Sequence, residues 1–146
     1  MADAASITMS ITILPDEIAK TLTAITSGYT PAGDGTEKWY YKITEVSNTS
    51  TDLISGAYIS EEAVGTAHDT ISTSDVVKFL YIKNVGSNSV YVVLDGGTVS
   101  SSSTDAIVIP NAKAWFGLVQ CTVADLNAIT NTSTSICHVA AIIDDV

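Results

Sequence analysis

Apolar and polar residues alternate along much of this chain with the two-residue period of a β-strand. From Ser6 to Ile13, the side chains Ile7, Met9, Ile11 and Ile13 take turns with Ser6, Thr8, Ser10 and Thr12, which puts the large residues on one face. Pro15 ends that run. Between Asp16 and Ser27 two periods compete. Ile18, Leu22 and Ile25 have helical spacing with Asp16 as a cap, whereas Thr21, Thr23 and Thr26 are β-branched and favour a strand, the reading adopted here. Gly28–Gly35 is rich in turn residues. The next strand carries Trp39, Tyr41 and Ile43 on one face and Lys38, Lys42 and Thr44 on the other, with Tyr40 on the lysine side. A polar turn at Asn48–Asp52 and a shorter strand at Leu53–Ile59 follow, then a long connection from Ser60 to Asp75.

The second half is denser. Val76–Val85 is apolar at both parities, the pattern of a strand covered on both faces. Gly86-Ser87-Asn88 predicts a tight hairpin turn into a strand at Ser89–Leu94. Asp95-Gly96-Gly97 turns again, and Ser100–Ser103 forms a low-complexity loop. Strands are expected at Asp105–Ile109, Ala114–Cys121 and Ile136–Ile143, with a short strand or helical turn over Val123–Ile129. There is no internal repeat. Eight or nine short strands punctuated by turns predict an all-β protein, an antiparallel β-sandwich with a jelly-roll-like order. The 146 residues fit one domain, 1–146, with residues 1–14 as an N-terminal strand or arm.

Composition supports this class. Seventeen Ser and nineteen Thr supply most of the polarity, with only 15% charged residues, as suits solvent faces of strands. Sixteen acids, six lysines and no arginine give a net charge of −10. Such a surface repels nucleic acid and anionic membranes, and it lacks the guanidinium fork that grips phosphate. The N-terminus has no basic segment followed by an apolar stretch, and no apolar run approaches the ~18 residues of a membrane span. Cys121 and Cys137 are too few for a disulfide framework, and free buried thiols are the expected state, although pairing stays open.

Chemistry is sparse. His68 and His138 have no ligand-spaced partners, and His138 and Cys137, being adjacent on a strand, point to opposite faces. Asp95 between turn residues and Asp144-Asp145 offer oxygen atoms to calcium without an ordered ligand spacing, so solvated turn and terminal carboxylates are the better reading. His68-Asp69 lacks a nucleophile elbow, and Asp16-Glu17 and Glu61-Glu62 say nothing of a separation across a sugar. No catalytic residue, cofactor site or metal site is expected, and the protein is read as a non-enzyme. Most of the aromatics (Trp39, Tyr40, Tyr41, Tyr81, Tyr91, Trp115 and Phe116) are expected in the core or on sheet faces.

One resemblance adds to this picture. The stretch Val77-Lys78-Phe79-Leu80-Tyr81-Ile82-Lys83-Asn84-Val85-Gly86, then Val90-Tyr91-Val92-Val93-Leu94-Asp95-Gly96-Gly97, and the later Ala106-Ile107-Val108-Ile109-Pro110 and Ala114-Trp115-Phe116 resemble a segment common in small tailed-phage virion proteins. Glu37-Lys38-Trp39-Tyr40-Tyr41-Lys42-Ile43 fits the same pattern. The resemblance implies a structural subunit of a phage particle, such as a capsid cement (decoration) protein bound to the major capsid protein. Its expected form is a homo-oligomer, a trimer before a dimer. Made in the host cytoplasm, an acidic, Arg-free protein suits the outer capsid surface, away from the packaged nucleic acid. A tail-fibre or baseplate module binding a host receptor or glycan is the alternative.

Overall fold

The computed structural model describes residues 37–56 and 71–144, together with the backbone of four short strands within the first 36 residues. The chain divides into two compact units, Met1–Gly35 and Thr36–Val146. In the first, β1 (Ala5–Ile7) pairs antiparallel with β4 (Ser27–Tyr29), and β2 (Ser10–Thr12) with β3 (Thr21–Thr23). One pairing is nested inside the other. Ile7 faces Ser27 and Ser10 faces Thr23. Thr21–Thr23 is strand, in line with its β-branched residues.

The second unit contains β5 (Glu37–Val46), β6 (Thr51–Asp52), β7 (Val76–Asn84), β8 (Val90–Val93), β9 (Ile107–Ile109), β10 (Ala114–Thr122), β11 (Asn127–Thr130) and β12 (Ser135–Asp144). They form two four-stranded antiparallel sheets, ordered β10-β7-β12-β5 and β6-β11-β8-β9. Core residues from both sheets, among them Leu80, Ile82 and Val139 from the first and Val90, Val92 and Ala128 from the second, form one cluster. The architecture is a β-sandwich. Its pairing is again nested: β5 with β12, β6 with β11, β7 with β10, β8 with β9. Among the described residues there is no α-helix, only a 3-10 turn at Val123–Asp125. There the Thr122 hydroxyl and N–H both donate to the Asp125 carboxylate, at 2.7 and 3.1 Å, so a short turn precedes β11 where the sequence left strand and helical turn open.

Three local differences from the sequence reading have physical causes. First, Gly86-Ser87-Asn88 does not make a hairpin: β7 pairs with β10 and β12, while β8 pairs with β9 and β11. The turn carries the chain from one sheet to the other. A buried polar knot holds it, in which Asn84 Nδ2 donates to the carbonyls of Asn88 (2.7 Å) and Ile109 (3.0 Å), and Ser135 Oγ donates to Asn84 Oδ1 (2.8 Å). Second, the dense apolar run in β7 reflects a register shift, because Ile142 faces Phe79 but Ile143 faces Val77. Lys78 is the extra residue, and the shift lets Val77 and Leu80, three positions apart, both reach the core. Third, the strand expected at Leu53–Ile59 lies earlier, at Thr51–Asp52. Leu53 and Ile54 are buried, and residues 57–59 lie outside the described residues.

Candidate functional site

The parity of β5 decides what this protein presents to its surroundings. Its pairing with β12 sets Lys38 opposite Ile143, Tyr40 opposite Ala141 and Thr44 opposite Cys137. Those β12 residues belong to the core or pack inward, so Lys38, Tyr40 and Thr44 turn inward as well, and all three are buried. Nearby loop residues bind the polar ends of Lys38 and Tyr40, and that of the exposed Lys42 beside them. Lys38 Nζ lies 3.0 Å from Asp75 Oδ2, the Ser55 N–H donates to Tyr40 Oη at 3.4 Å, and Lys42 Nζ reaches Ser55 O at 3.3 Å. Burial pushes the Tyr40 phenol up from its ordinary pKa, with the hydrogen bond from Ser55 opposing that shift.

The apolar set Trp39, Tyr41 and Ile43 therefore faces outward, with Tyr41 46% and Ile43 56% exposed. Strand register aligns it with neighbours into rows that cross all four strands. Trp39, Ile142, Phe79 and Leu118 form one row; Tyr41, Ala140, Tyr81 and Phe116 the next; Ile43, His138, Lys83 and Ala114 the third. Leu118 is 64% exposed, whereas Ile142 is buried at 2% and Trp39, Phe79, Tyr81 and Phe116 are half-buried. Tyr41 Oη and His138 Nδ1 are 2.6 Å apart, with the rings 6.0 Å apart and tilted by 46°. Among the described side chains, the acids on this face are Glu45 near one end and Asp144 near the other, the latter 3.4 Å from Lys78. Two of the rows hold no charge at all. A face of aromatic and aliphatic residues with charges only toward its ends has the anatomy of an interface core and rim.

The residues weighed for chemistry are not brought together. His138 lies on the outer face, bonded to Tyr41, and Cys137 beside it points into the core. Asp95 is exposed, and its carboxylate accepts the Gly97 N–H at 3.0 Å within its own turn. No group of three or more His, Cys, Asp or Glu side chains among the described residues is arranged to hold a metal ion. His68, Asp69, Glu61, Glu62, Asp16 and Glu17 lie outside the described residues. No described helix is long and apolar enough to cross a membrane.

Cys121 and Cys137 are free and buried. Cys121 sits opposite Val77 and Cys137 opposite Asn84, seven residues apart along β7 and so about 23 Å at ~3.3 Å per residue, beyond disulfide reach. Burial pushes the Cys137 thiol up to about 11 and raises that of Cys121, where the Asp125 charge adds to the effect. Both stay protonated, hence poor nucleophiles, at neutral pH. A disulfide-exchange reagent at pH 8 is expected to modify neither thiol in the folded protein and both after denaturation; rapid native labelling of Cys137 would contradict its burial. With the folded value above the unfolded one, its contribution to stability is intact below about pH 9 and lost as pH rises toward 11.

The outer face was hard to find in the sequence, because its apolar stripe reads as the core side of a strand. Comparison of the chain with protein-family models, with curated proteins and with solved structures gave no match.

Proposed function

We propose that this chain is a virion structural protein, a capsid cement (decoration) protein that sits on the outer capsid surface as a homo-oligomer and bridges subunits of the major capsid protein. The observation that carries the reading is the acid-poor apolar face of the β10-β7-β12-β5 sheet, with Tyr41, Ile43 and Leu118 exposed. Leaving aromatic and aliphatic side chains in water is unfavourable at roughly 25 cal/mol per Å², and assembly is the means by which such a face is relieved of that cost. The nested strand pairing adds support, since we read it as a two-stranded ribbon rolled into a jelly roll, an arrangement at home in capsid domains. The net charge of −10 without arginine fits a position outside the shell.

A second reading has an observation of its own. Trp39, Tyr41, Tyr81 and Phe116 share one outer face, and aromatic platforms stack on sugars, as a receptor-binding tail module would require. The exposed neighbours Ile43 and Leu118 are aliphatic and offer a sugar no hydrogen bonds, so the assembly reading is preferred.

Co-sedimentation with capsids that lack the protein tests the proposal. The expected result is saturable, stoichiometric binding across the shell and a raised temperature of capsid disruption. Absence of capsid binding, combined with selective glycan retention, would replace it with the receptor-binding reading.

A further inference from the structure

We draw no further inference here: the strongest candidate, the carboxylate pair of Asp95 and Asp125 that flanks Gly96 where the turn after β8 meets the 3-10 turn, carries nothing beyond its own turns, since its oxygens accept the Gly97 N–H at 3.0 Å and the Thr122 hydroxyl at 2.7 Å and no third His, Cys, Asp or Glu among the described residues joins them to hold a cation.

Discussion

Replacing Gly86 by alanine is expected to destabilise the protein by several kcal/mol, the range seen when a side chain is forced into occupied space. A Cβ at that position would lie 2.2 Å from Ser135 Oγ, 2.6 Å from the Ile136 nitrogen and 2.8 Å from Ser135 Cα. The hydroxyl can rotate away, but the other two atoms are backbone of β12, a strand in the middle of its sheet. Relief therefore requires moving either β12 or the crossover between the sheets. Either movement disturbs the bonds Gly86 N–H makes to Asn84 Oδ1 (3.1 Å) and the Ile136 carbonyl (3.2 Å). It also disturbs the contact of Ser135 Oγ with buried Asn84. Urea denaturation checks the outcome: a loss below ~1 kcal/mol would mean that the close approach is easily relaxed. Val85→Ala, one position earlier at a 46% exposed side chain, should stay within ~0.5 kcal/mol, as surface substitutions do.

The same crossover shows why strand identity is easier to read than strand pairing. Ser135–Asp144 and Val90–Val93 are strands where apolar residues and turn signals place them. Gly86-Ser87-Asn88 announces a reversal correctly but not its partner. Whether β8 folds back on β7 or crosses to the opposite sheet depends on Asn84 reaching Asn88 and Ile109, and on Ser135 reaching Asn84 from 51 positions away. A local pattern holds no information about a bond made at that separation.

Parity in β5 is not set by the strand's own sequence, for a related reason. Burial of the larger apolar stripe is a sound rule for a strand considered alone, and it assigns Trp39, Tyr41 and Ile43 to the core. In the sandwich, register with β12 sets the parity, since a slip of one residue would invert every side chain of the pair. Lys38 and Tyr40 then turn inward and are bonded by Asp75 and Ser55, which stand 37 and 15 residues away, while Lys42 stays exposed. The violated rule coincides with the candidate site.

That inversion leaves a buried ion pair whose removal carries the other large effect. Lys38 and Asp75 are 4% and 0% exposed, with Nζ and Oδ2 3.0 Å apart. Asp75 Oδ2 also accepts the Ser72 N–H at 2.8 Å, and the Asp75 carbonyl accepts the Val123 N–H at 2.9 Å. The pair thus ties the start of β5 to the turn before β7 and to the 3-10 turn after β10. Asp75→Ala is expected to cost ~3–5 kcal/mol, because a buried ammonium loses this carboxylate and a backbone donor loses its acceptor. Lys38→Met/Asp75→Leu should behave differently. Asp75 Oδ1 has no hydrogen-bond partner among the described residues, so the pair is incompletely compensated for its desolvation. Replacing both members with apolar side chains is therefore expected to recover most of the loss. A double-mutant cycle by chemical denaturation measures the coupling, expected to exceed ~2 kcal/mol. Additive single effects would mean that the two charges act independently and that the inward turn of β5 is held by its register with β12 alone.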